Sequence, residues 1–157
     1  MWQKIKPYII SCGIALAVGG LSALFTSKYM DIYQTLEKPP LAPPGILFPI
    51  VWSVLYILMG ISAAMIWKKR KEEPPAVKDA LYTYLSSLVL NFAWSIIFFR
   101  FRAFLLAFVW LILLLSTIIA TIVKYHKLKP VAAYLQIPYA VWVLFAGYLN
   151  LAIYILN

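Results

Sequence analysis

The sequence predicts an all-α membrane protein, a bundle of five transmembrane helices in one domain, residues 1–157. Three observations carry the prediction. The chain is 64% hydrophobic and 12% charged, against roughly 45–50% apolar and 25% charged in soluble domains. Its charges cluster and leave five uncharged stretches. Each holds at least ~19 residues, and a helix needs about 20 to cross a ~30 Å hydrocarbon core. Within the stretches the apolar residues are continuous, as from Leu111 to Leu115, whereas a β-barrel strand alternates. A mean hydropathy of +0.88 disfavours a soluble enzyme, a disordered chain and a nucleic-acid binder alike.

The first stretch, Tyr8 to Ser27, predicts a helix over residues 6–27. Lys4, Lys6 and Ala15-Leu16-Ala17 resemble a signal peptide. The apolar run continues to Phe25, which favours a retained span. Ser11, Ala15, Gly19, Ala23 and Ser27 recur every four residues, a spacing that lets helix backbones approach closely. Intramolecular packing is the expected use, with a dimer interface as the alternative. The second helix is expected over 45–68 and the third over 79–99, with Lys68 to Lys78 as a solvated linker. The Phe99 to Arg102 turn is tight, so a fourth helix over 102–124 should lie antiparallel to the third. That helix has no strongly polar residue beyond Ser116, Thr117 and Thr121, and reads as a lipid-facing scaffold. The fifth helix is expected over 130–155, kinked or with a freed carbonyl at Pro138.

Basic residues set the orientation. Lys4, Lys6, Lys68, Lys69, Arg70, Lys71, Lys78, Lys124, Lys127 and Lys129 fall on one side, and Lys28, Lys38, Arg100 and Arg102 on the other. The expectation is a multi-pass protein of the cell membrane with its N-terminus cytoplasmic and its C-terminus outside. The net charge of +9 is then topology and attraction to anionic lipid, with no nucleic-acid partner.

The connection Lys28 to Gly45 differs from the other loops. It carries Asp31, Tyr33, Glu37 and four prolines, and reads either as a structured lid or as a stiff spacer. Polar groups inside the spans need partners. Asn91 shares one helical face with Ser87, Trp94, Ser95 and Phe98, and serves either an interhelical tie or a ligand. Trp52, Tyr56 and Met59 share a face of the second span. Pro138, Trp142 and Phe145 share one face of the fifth, and Tyr139, Ala146 and Asn150 an adjoining one. Trp2, Trp67 and Tyr125 fit an interfacial belt, whereas Trp52, Trp94 and Trp142 do not. Aromatic walls with a few polar tips suit a flat, apolar ligand, and equally a bulky core. The single Cys12 excludes an internal disulfide and a Cys-based metal cluster. His126 reads as a solvated loop residue. No acid pair, phosphate loop or metal constellation is present.

Taken together, these motifs resemble the translocator protein / tryptophan-rich sensory protein (TspO/MBR) family. The likeness covers essentially the whole chain. It is carried by Leu36-Glu37-Lys38-Pro39 with Pro43-Pro44-Gly45, by Val51 to Gly60, by Leu90-Asn91-Phe92-Ala93-Trp94-Ser95 with Phe98-Phe99, and by Pro138 to Trp142 followed by Phe145-Ala146 and Leu149-Asn150. The resemblance implies a five-helix bundle whose cavity is closed by the first loop. It also implies binding of porphyrins such as protoporphyrin IX, of haem-related tetrapyrroles, and of isoquinoline-carboxamide or benzodiazepine compounds. Trp52, Asn91 and Trp142 match family cavity positions, and Tyr33 matches a loop residue over the ligand. Tyr56, Trp94, Phe98, Phe145 and Ala146 are expected to line the site. Leu41 and Ile32 stand where relatives usually have tryptophan, which thins the expected lid.

The resemblance further implies a prokaryotic member, a homodimer, no obligatory cofactor, and protoporphyrin IX or haem as ligand. A receptor or sensor ranks first among functions, and a transporter of tetrapyrroles or other small apolar cargo second. Light- and oxygen-dependent porphyrin degradation ranks third, with Trp52 and Trp142 as its candidate catalytic residues.

Overall fold

In a computed structural model, which describes all residues 1–157, each uncharged stretch forms one membrane-length helix. They are α1 (Trp2–Thr26), α2 (Leu47–Trp67), α3 (Pro74–Ser95), α4 (Phe104–Leu128) and α5 (Pro130–Leu156). The chain is all-helical. The third helix starts five residues before its expected position, inside the segment read as a linker. Its first two residues are Pro74 and Pro75. Proline suits the first turn, where its missing N–H would have no partner, and Pro130 opens α5 in the same way. The helix α5 continues through Pro138.

At its far end α3 widens into a π-helical turn, Ile96–Arg100, closed by Phe101 N–H donating to Ile96 O at 3.1 Å. Helices α3 and α4 then run antiparallel in contact, as the tight turn predicts, and Trp110 Nε1 donates to Leu90 O at 2.9 Å.

The fourth helix is not simply a lipid-facing scaffold. Ala107, Leu111, Leu114, Ile118, Thr121, Tyr125 and Leu128 form one fully packed face against its neighbours, while Leu105, Val109, Ile112 and Ile119 face outward. Leucine and isoleucine pack a bilayer bundle by dispersion alone, so most of this face carried no signal that set it apart from a lipid-facing one. Tyr125 is correspondingly buried, and an interfacial belt does not describe it.

Helix α1 packs mainly on α2. Of the small-residue stripe, Ala15 and Gly19 meet α2 or the core, whereas Ala23 and Ser27 are exposed and Ser22 and Thr26 are buried in their place. A Cβ on Gly19 would run into the Tyr56 ring. A glycine of α2 admits the α1 backbone: a Cβ on Gly60 would fall 2.5 Å from Cys12 Cα. Between α2 and α5, Ser62 Oγ donates to Ala132 O at 2.8 Å, and Gln136 Nε2 donates to Ser62 Oγ at 3.3 Å.

The Tyr125 hydroxyl is buried beside Tyr84, ring centroids 6.4 Å apart, and has no hydrogen-bond partner in the protein. An unpaired hydroxyl in an apolar setting costs about 1–3 kcal/mol. Tyr125→Phe should therefore leave the thermal unfolding midpoint in detergent unchanged or raise it. A clear fall would show that the hydroxyl is satisfied.

Candidate ligand cavity

The chain between α1 and α2 folds as a cover over one end of the bundle. A 3-10 turn, Ser27–Tyr29, leads into a one-turn helix, Ile32–Thr35, and then a proline-rich return. Tyr33 is buried and its Oη donates to Pro43 O at 2.7 Å, which ties the two limbs of the segment together. Burial pushes the Tyr33 phenol above its usual value of 10.0, so it remains this donor at neutral pH. Lys38 Nζ donates to Tyr33 O at 2.9 Å and Leu36 O at 3.2 Å, and lies over the Tyr33 ring.

Two contacts latch the cover to the end of α5. Tyr148 Oη donates to Pro40 O at 2.8 Å. The Asn157 amide accepts from Glu37 N–H at 3.1 Å and donates to Glu37 O at 3.0 Å. Leu41 sits at the tip, 84% exposed and at φ 71°, in a turn closed by Ala42 N–H on Pro39 O. It does not face the space below, and neither does Ile32 line it.

Below the cover lies a cavity of about 500 Å³, within the range of small-molecule sites. Met30, Asp31, Tyr33 and Gln34 form its roof. The first two turns of α2 supply Phe48 and Trp52, and Tyr56 follows one turn later. The end of α3 supplies Asn91, Trp94, Phe98 and Phe99, where the π turn brings two consecutive phenylalanines to the same side. Gly19 and Ser22 of α1 and Ala146, Leu149 and Asn150 of α5 complete it, and α4 contributes nothing.

Its polar groups are few and mostly fixed. Asn91 Nδ2 donates to Tyr56 Oη at 2.7 Å, so the amide oxygen of Asn91 and the Tyr56 hydroxyl proton remain for a ligand. Trp52 stacks on Tyr56, centroids 5.6 Å apart, and meets Tyr139 edge-on. Trp94 Nε1 donates to Asn150 Oδ1 at 3.0 Å, and Asn150 Nδ2 donates to Phe104 O at 2.7 Å. Asn150 thereby ties α3, α4 and α5 together with both ends of its amide used. Asn91, Trp94 and Asn150 are thus each held in place by a neighbour, which preorganises this part of the wall.

Tyr33, Trp52, Tyr56, Asn91, Trp94, Phe98 and Ala146, expected at the site from the sequence, all line this cavity. Trp142 and Phe145 do not. Trp142 meets the ring of Phe48 edge-on, centroids 5.9 Å apart, and Phe145 packs on Trp142. Phe48 thus stands between Trp142 and the cavity. Asn150, Phe48, Phe99 and the α1 residues were missed as site residues. An amide within a span was a legible signal for Asn150, whereas nothing in the sequence distinguished Phe48 from other apolar residues.

The TspO/MBR family profile matches residues 11–156, nearly the whole chain and all the elements that build the cavity. The chain belongs to the TspO/MBR family. This TspO/MBR chain is 36% identical over 162 residues to the tryptophan-rich protein TspO of Chlorobaculum tepidum, covering 100% of this chain and 99% of the relative. It is 40% identical over 157 residues to the protein of that name from Archaeoglobus fulgidus, covering 99% of each. It is also 36% identical over 148 residues to the translocator protein of Bos taurus, covering 92% of this chain and 88% of the relative. Family and helices together make it a multi-pass membrane protein.

Proposed function

We propose that this protein is a membrane receptor or sensor whose cavity binds tetrapyrroles, protoporphyrin IX and haem-related compounds among them. Isoquinoline-carboxamide and benzodiazepine-type compounds belong to the same reading as flat, largely apolar ligands. The observation that carries it is the covered aromatic cavity, in which Trp52 and Tyr56 form a stacked wall beside the Asn91 amide. Such a wall offers a ring face together with a few fixed donors and acceptors.

The ten-to-four distribution of basic residues supports a cover on the outer side, since all four of the minority lie at the covered end. A homodimer is part of the same proposal, on the family likeness alone.

Titrating detergent-solubilised protein with protoporphyrin IX should quench tryptophan fluorescence to saturation at a defined stoichiometry. Asn91→Leu leaves the Tyr56 hydroxyl unpaired and removes the amide, and should weaken binding about tenfold, since an uncompensated buried polar group costs ~1–3 kcal/mol. Linear, unsaturable quenching, or equal affinity in Asn91→Leu, would overturn the reading.

A further inference from the structure

Asp31 is the one residue lining the cavity that carries a full charge; every other lining side chain is apolar or neutral. Its carboxylate forms no ion pair. The two ion pairs of the structure, Lys69 with Glu72 and Lys124 with Asp79, lie at the opposite end of the bundle. The basic residues at the covered end are engaged elsewhere or lie outside the lining. Lys38 caps backbone carbonyls of the cover and sits over Tyr33. Arg100 lies over the ring of Tyr29, 5.8 Å from its centroid. Neither these two nor Lys28 reaches the cavity lining. A bound ligand therefore meets an aromatic chamber with a negative group at its roof and no positive group to answer an acid.

We infer that Asp31 selects ligands by charge, so that the cavity favours flat aromatic ligands with a neutral or cationic edge over those with an anionic edge. The inference rests on the tetrapyrrole reading and deepens it. Two features act in the same direction. Like charge at the roof repels a carboxylate, and an ammonium placed there gains an ion pair. The carboxylate edge of a porphyrin must then point away from Asp31. The effect is bounded because Asp31 is solvent-exposed, and exposed pairs are weak and screened by salt.

The test uses the full chain in detergent micelles of zwitterionic headgroup and three versions of one macrocycle. These are protoporphyrin IX with two carboxylates, its dimethyl ester, and the diamide bearing two primary amines. In the wild type the affinity order should be amine, ester, acid, with neighbouring members separated about three- to fivefold at low salt, the upper end for an exposed pair. The amine-to-ester ratio should fall to about one in Asp31→Asn, invert in Asp31→Lys, persist in Asp31→Glu, and shrink at high salt. A ratio unaltered by Asp31→Asn and Asp31→Lys overturns the role of Asp31 and leaves the cavity reading standing. Absence of saturable binding of the neutral ester overturns the tetrapyrrole reading and this inference with it.

Discussion

Gly60→Ala is expected to cost about 1–3 kcal/mol of stability, the range for overpacking a close contact. The new Cβ would stand 2.5 Å from Cys12 Cα and 2.7 Å from Cys12 N. Those are backbone atoms, so no rotamer change relieves the clash, and α1 must move away from α2. At roughly 2–4 °C per kcal/mol for a chain of this size, the unfolding midpoint in detergent should fall by several degrees. Gly147→Ala is the control. Its Cβ meets nothing within 4 Å, and replacing glycine inside a helix gains about 1 kcal/mol of propensity, so it should be neutral or mildly stabilising. Cys12→Ala should not restore Gly60→Ala to wild type, because it removes the Sγ contact at 2.7 Å but leaves the closer Cys12 backbone in place. An unchanged midpoint in Gly60→Ala would mean that the two helices are not in contact at this point.

The second large effect concerns the two tryptophans matched to family cavity positions. Trp52→Ala should weaken porphyrin binding about 30-fold or more, in line with the ~2 kcal/mol or larger loss on truncating a buried aromatic anchor. It removes the cavity face of the stack with Tyr56. Trp142→Ala should change the dissociation constant much less, about threefold or under, because Phe48 separates it from the cavity and remains in place. Binding followed by porphyrin absorbance is the right readout, since each variant also removes a fluorophore. The reverse pattern, with Trp142→Ala abolishing binding and Trp52→Ala silent, would place the ligand on the other side of Phe48.

The contrast between these two residues shows where the sequence stopped being informative. Trp142 and Ala146 are four residues apart on adjoining faces of α5, yet Ala146 lines the cavity and Trp142 does not. The difference comes from α2, whose first turn inserts Phe48 at the level of Trp142. Asn91 was legible as an amide needing a partner, but the choice of Tyr56 depended on the packing of α2 against α3. The cover was legible as stiff because of its prolines. Its latch was not, since Glu37 and Asn157 lie 120 positions apart and neither is unusual at the surface.

Five spans, their alternation, the charge bias between the two ends and the aromatic supply can all be read from the residues alone. The spans follow from local transfer free energies and the bias from a count of loop charges, and the chain carries both wherever the helices stand. Packing settles which aromatic faces the cavity, which glycine admits a neighbouring backbone, and which hydroxyls stay unpaired. In a soluble helix the contrast between an apolar and a polar face fixes the rotation about its axis. In a bilayer both faces are apolar, so rotation is set by the fit of side chains such as Gly19 against Tyr56 and Phe48 against Trp142.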